Sequence, residues 1–265
     1  MLGAIAGDII GSRFERFNIK SEKFELFSPD SCFTDDTVMT VAIADSLLTG
    51  EDYAVSMRKW GQRYPNRGYG QRFALWLGNP NLSASDSSGN GAAMRVSPIG
   101  MFFNGFEDVL AEAERSALAS HNHPEAVKGA QAIAASVYLA KNGDNKGEIR
   151  KFIIETFAYN LEQTIESMRP NYHLDFTCQG TVPQAIIAFL DSTGFEDTIR
   201  KAISLGGDSD TIACMAGAIA HAYYRKIPAF IVGEVRQRLT KELLEVVDNF
   251  SWKAFQSIDN RFQLS

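Results

Sequence analysis

Cysteine is scarce in this sequence. Cys32, Cys178 and Cys214 are odd in number and widely spaced, with no C-x-x-C pair. They offer neither a disulfide framework nor a zinc site, and a reducing, cytoplasmic setting fits them. Long apolar runs are missing too: the longest, 212–220, is far short of the roughly 20 residues that a membrane span needs. The opening MLGAIAGDIIG lacks a basic n-region and carries Asp8 inside its apolar stretch, so it does not read as a signal peptide. Positive charge is in deficit: 26 Lys and Arg against 32 Asp and Glu give a formal net charge of -6. A chain with that balance is poorly suited to gripping nucleic-acid backbone, which needs clustered cations. No Pro- or Ser-rich linker divides the 265 residues, of which 45% are hydrophobic. A single domain spanning residues 1–265, with one large core, is therefore expected.

Alternating, strand-like patterns are also rare, and helical spacing dominates. Apolar residues recur at helical intervals over 54–64, 107–119, 124–140, 148–161, 184–191, 196–205 and 234–250. The run Asn142, Gly143, Asp144, Asn145 reads as a loop. Two further helices, about 36–48 and about 210–224, are apolar almost all round. The second is rich in Ala and Gly, which lets neighbours approach closely and places it at the centre. The expectation is an all-α, compact helical bundle with a cleft at the ends of its central helices.

Each of these two helices opens on an acidic cluster. FTDDTVMT supplies Thr34, Asp35 and Asp36, and LGGDSDT supplies Asp208, Asp210 and Thr211. A lone Asp or Thr ahead of a helix is ordinarily an N-cap, whose oxygen accepts a bond from an orphan N–H. One cap needs one such residue, whereas each cluster brings two carboxylates and a hydroxyl. Like charges that close repel, and burying them requires protonation or a cation between them. Hard oxygen donors of this kind suit Mg²⁺ or Mn²⁺. If the clusters converge, these six residues suffice for two octahedral ions, with waters and substrate completing the shells.

Three other segments draw attention. In GAIAGDIIGSRFERF, placed on a helix, Asp8 and Glu15 lie seven apart and share a face, with Glu15 near the C-terminal end. Spacing alone favours reading Glu15 as a solvated residue between Arg13 and Arg16. SSGNGAAMRVSPIG, from Ser87, is a Gly-rich turn in which Gly89, Asn90 and Gly91 allow positive φ and a close backbone approach to phosphate. SHNHPEAVKGA places His121 and His123 just before a helix. No third nitrogen or sulfur ligand accompanies them, so contact with a sugar or phosphate is a better reading than metal, and this segment alone favours a capping role.

In order along the chain, GAIAGDIIGSRFE, FTDDTVMT, GNGAAMRVSPIG, SHNHPEAVKGA and LGGDSDTIACMAGAIAHAYY resemble the ADP-ribosylglycohydrolases. The resemblance covers Leu2 to about Tyr224. It implies an all-α fold with two divalent cations, Mg²⁺ or Mn²⁺, in a central cleft. Thr34, Asp35 and Asp36 would bind one ion, Asp208 and Thr211 the other, and Asp210 both. Glu15, Asp35 and Asp36 would take part in catalysis. Ser87, Ser88, Gly89, Asn90 and Gly91 would lie along the pyrophosphate, and His121 would contact ribose or phosphate.

The implied reaction is hydrolysis of the C1″ glycosidic bond that joins ADP-ribose to a protein side chain or small molecule, through an oxocarbenium-like transition state. In arginine-directed members an acidic residue is expected in the loop that here reads YPNRGYGQRF, yet no carboxylate lies between Tyr64 and Phe73. Arginine, serine, a carboxylate ester or a non-protein group therefore all stay open as acceptors, nucleic acid among them only as a modified substrate. Two other readings compete: a two-metal phosphohydrolase cutting the pyrophosphate, and a non-catalytic ADP-ribose binder on the same fold.

Overall fold

A computed structural model describes residues 1–262. Its elements are helices: α1 (Leu2–Gly11), α2 (Asp35–Thr49), α3 (Tyr53–Arg63), α4 (Gln71–Gly78), α5 (Ser97–Phe102), α6 (Phe106–Leu118) and α7 (Pro124–Asn142). They continue as α8 (Lys146–Phe157), α9 (Ile165–Met168), α10 (Cys178–Leu190), α11 (Phe195–Ser204), α12 (Ser209–Tyr224), α13 (Ala229–Arg238) and α14 (Lys241–Phe262). A single 3₁₀ turn, Asn90–Ala92, lies between α4 and α5. Among the described residues there is no sheet, only isolated bridges at Ser85–His121 and Gly89–Thr177. None of the described helices is long and apolar enough to cross a membrane.

Local chemistry accounts for the helix boundaries. Thr34, Asp52, His123, Asn145, Thr164 and Thr177 each accept a bond from a backbone N–H in the first turn of the helix that follows. Gly50 and Gly143 end α2 and α7 at φ of 79° and 98°, where a Cβ would be strained. The expected loop at 142–145 is thus a glycine stop followed by the Asn145–Glu148 capping box.

At the centre lies α12, buried along nearly its whole length and packed against α1, α2, α5, α7, α10 and α11. Its small residues meet a matching glycine stripe on α1. A Cβ at Gly7 would overlap the Ala213 carbonyl, one at Gly3 would overlap that of Gly217, and one at Gly11 would stand 2.5 Å from the Asp210 Cα. The two helices therefore run antiparallel at close range, and the end of α1 is driven against the first turn of α12.

Three expectations are corrected. First, α1 ends at Gly11 and the chain turns over 12–16, so Asp8 and Glu15 do not share a helix face. Second, the stretch read as one helix over 234–250 is two. Leu239 is extended at ψ 148°, and Thr240 then caps the new helix by accepting from the Leu243 N–H. The T-K-E start signal inside the apolar periodicity explains the break. Third, Gly89 has φ of -60°, and neither it nor Gly91 is in the left-handed region. That conformation belongs to Gly206 and Gly207, at φ of 70° and 72°, in the turn that launches α12.

Candidate active site

The N-termini of α2 and α12 converge at the end of α1, so the two acidic clusters face each other. Thr211 Oγ1 donates to Asp36 Oδ2 across the junction at 3.1 Å. Asp8, Asp36 and Asp210 are all buried, and each offers a carboxylate oxygen within 4.8 Å of the other two. Asp8 is the member that sequence spacing did not assign to this group. The available signal was a lone charge within an otherwise apolar helix.

The Asp8 carboxylate is saturated by hydrogen bonds. Its Oδ2 accepts from the Thr34 N–H at 3.0 Å, from the Thr37 N–H at 3.1 Å and from the Thr37 hydroxyl, and its Oδ1 accepts from Thr34 Oγ1 at 2.7 Å. Asp8 therefore ties α1 to the first turn of α2. Because the Thr34 hydroxyl spends its proton on Asp8 and accepts the Asp36 N–H, one lone pair remains available. Thr211 has likewise given its proton, to Asp36.

The acidic end is electrostatically unbalanced. None of the ion pairs among the described residues reaches these carboxylates. Burial, followed by repulsion from neighbouring carboxylates, pushes Asp35, Asp36 and Asp210 well above the usual carboxylate range. Burial also raises Asp8 and Asp208, against hydrogen bonds that lower them. Asp36 Oδ1 is buried with no hydrogen-bond partner. An orphaned carboxylate oxygen beside other hard oxygen donors, with no nitrogen or sulfur in the group, fits a divalent cation of the Mg²⁺ or Mn²⁺ class.

The clusters form one end of a cleft of about 450 Å³. Glu15 lines it half-buried from the turn after α1, its pKa raised by burial and then by Asp208. Asp35 lines it as well, and its backbone N–H donates to the Arg67 carbonyl at 2.7 Å, which draws the 64–70 loop against the acidic end. Asn90 Nδ2 donates to Asp208 Oδ2 at 2.6 Å and joins this end to the glycine turn.

The other end is donor-rich and aromatic, built from Arg95, His121, Ser87, Gly91, Phe73 and Trp76. Burial and then the Arg95 charge lower the His121 pKa to about 3, so the ring is neutral. Ser88 is set back from the cleft, its carbonyl holding the Cys178 N–H at 2.8 Å, and Ser85 lines the wall instead. His123 caps α7. Arg95, Ser85 and Ser120 went unnoticed in the sequence, because only the fold brings them together: Arg95 donates to Ser116 and Ser120 at the end of α6, and the Ser85 N–H donates to the Ser120 carbonyl.

Comparison with known proteins places this geometry. The ADP-ribosylglycohydrolase family model matches residues 1–260. The chain is 29% identical to ADP-ribosylhydrolase ARH3 of Homo sapiens, covering 84% of this chain and 84% of that protein. It is 26% identical to ADP-ribosylarginine hydrolase Tri1 of Pseudomonas putida (strain GB-1), covering 84% of this chain and 69% of that one. A solved ADP-ribosylglycohydrolase-related protein complex shares the fold at a TM-score of 0.73, with 24% identity over 96% of this chain and 95% of its own.

Proposed function

The chain belongs to the ADP-ribosylglycohydrolase family and is a glycosyl-bond hydrolase, and from that premise we propose that it removes ADP-ribose from ADP-ribosylated protein side chains or related conjugates by cleaving the C1″ bond. The observation that carries the reading is the convergence of Asp8, Asp36 and Asp210 in one buried group, from which Asp36 and Asp210 line the cleft. All of residues 1–265 would serve this one activity as a single domain.

Thr34, Asp35, Asp36, Asp208, Asp210 and Thr211 would hold two divalent cations, Mg²⁺ or Mn²⁺. When bound, such ions supply Lewis-acid charge that favours developing negative charge and orients hydroxyl groups. The protein's own groups do the rest. Asp8 holds the Thr34 hydroxyl proton, which leaves that oxygen one lone pair beyond the one that caps α2. Glu15, close enough to Asp208 to feel its charge, is the group to move a proton on the attacking water or the leaving oxygen. Asp35 or Asp36 would be the alternative acceptor of the water's proton, in a reaction that passes through an oxocarbenium-like transition state. Ser87, Gly89, Asn90 and Gly91 lie where the diphosphate would run, and Phe73, backed by Trp76 stacked 5.3 Å away, offers an aromatic surface for a base.

The acceptor side faces the 64–70 loop. That loop holds no carboxylate to pair a guanidinium, and it carries Arg67, stacked 3.9 Å over Phe33. This supports a neutral acceptor oxygen over arginine. The test is a panel of ADP-ribosyl conjugates that differ only in linkage, incubated with Mg²⁺ or Mn²⁺. Release of ADP-ribose from a serine- or ester-linked conjugate faster than from an arginine-linked one is expected. Release from none of them would overturn the assignment.

A further inference from the structure

Arg95 is fully buried, yet its charge answers to no carboxylate: the ionisable groups it interacts with are Cys178 and His121, and its Nε and Nη1 have no partner. Its Nη2 donates to the Ser116 carbonyl at 2.7 Å and to Ser120 Oγ at 2.9 Å. A guanidinium has no acceptor, so Ser120 Oγ must be the acceptor in that bond. Ser120 is itself buried, and its Oγ lies 2.8 Å from His121 Nδ1. If Nδ1 carried the proton, Ser120 Oγ would accept twice and its own O–H would be left buried without an acceptor, a loss comparable to a broken hydrogen bond. The hydroxyl proton therefore goes to Nδ1, and the ring keeps its proton on Nε2.

The orientation of Nε2 gives this a consequence. Nε2 makes no hydrogen bond among the described residues and faces the glycine turn. A Cβ placed on Gly89 would stand 3.5 Å from it, and one on Gly91 3.4 Å. A methyl at either position would touch the ring at ordinary contact distance, so what glycine leaves at 89 and 91 is open space in front of the imidazole. The neutral ring and the unpaired guanidinium behind it create a positive potential at this end of the cleft, opposite the carboxylates.

We infer that Arg95 and Ser120 are positioning residues that lock His121 in its neutral Nε2–H form, so that the ring presents a fixed N–H donor to an anionic diphosphate oxygen in the turn of Gly89 and Gly91. The ligand half of this inference rests on the ADP-ribosyl reading above; the tautomer half does not. Within the chain, His123 provides a control. Its Nδ1 also accepts, from the Glu125 N–H at 3.1 Å, but that bond does not involve Ser120.

Long-range ¹H–¹⁵N correlation spectra of the imidazoles, recorded without ligand, test the lock directly. Wild type is expected to show His121 with protonated Nε2 and bare Nδ1. Ser120→Ala is expected to populate the Nδ1–H form of His121 while the His123 signals stay in place. The same variant is expected to bind ADP-ribose about tenfold more weakly, the worth of one well-placed hydrogen bond. A protonated Nδ1 on His121 in wild type, or an unchanged tautomer in Ser120→Ala, would overturn the inference. Failure of wild type to bind ADP-ribose would instead overturn the functional reading, because the tautomer is read from the ligand-free protein.

Discussion

Metal-free protein is the state in which the acidic cleft should be least stable, and the sign of its pH dependence follows from the carboxylates. Asp35, Asp36 and Asp210 lie well above the ordinary value of 3.8 when folded, through burial and then mutual repulsion. Between 3.8 and that raised value the folded state binds more protons than the unfolded chain, so stability falls as pH rises through the window. Chelated protein is therefore expected to melt lower at about pH 8 than at about pH 5. A divalent ion that binds only the folded state adds ~2.7 kcal/mol per site at ~100-fold excess over Kd. At roughly 2–4 °C per kcal/mol for a domain of this size class, one site gives a rise of about 5–10 °C and two sites give more. Asp36→Asn removes charge without changing volume. It should raise the melting temperature of chelated protein at about pH 8 and lose most of the ion-dependent rise. Exposed Asp30→Asn should keep that rise in full. Calorimetry of the chelated and ion-loaded forms decides it. A chelated protein whose melting ignores both pH and divalent ions, or an Asp36→Asn variant with the full rise, would refute the reasoning.

Other substitutions probe the remaining parts. Glu15→Gln should lower turnover by about 10²–10⁴-fold while ADP-ribose affinity, measured by titration calorimetry, changes by less than about threefold, as proton transfer without ground-state binding requires. His121→Ala should weaken ADP-ribose binding more than His123→Ala, because His121 faces the cleft whereas His123 caps α7; equal losses would count against that placement. Gly7→Ala should destabilise the fold by about 3 kcal/mol in urea unfolding, since the new methyl meets the Ala213 backbone and relief requires parting α1 from α12. A near-neutral result would mean that the two helices are less closely packed than described.

The helices and the acidic clusters were legible in the sequence for the same reason: both are local patterns. Amphipathic spacing marks α6, α7 and α11 within a residue or two at most boundaries, and T-D-D-T and G-G-D-x-D-T are contiguous enough to stand out. What could not be read depends on contacts between distant segments. Asp8 enters the acidic group because glycines on α1 admit α12, and that pairing joins Gly11 to Asp210 across 199 positions of chain. Arg95 reaches Ser120 through the fold of α6. The glycine turn misled because glycine has two uses. At 206 and 207 it supplies a left-handed backbone, while at 89 and 91 it supplies empty space in front of a ring. Composition does not distinguish them.

Identification of the product from a single turnover of an ADP-ribosyl conjugate, by mass spectrometry, tests the central claim most directly. Wild type with Mg²⁺ or Mn²⁺ should release intact ADP-ribose and the unmodified acceptor. Asp36→Asn and Asp210→Asn, shown to be folded by circular dichroism, should release neither. Cleavage of the diphosphate to AMP and an acceptor still carrying phosphoribose, or undiminished ADP-ribose release by both variants, would contradict the account.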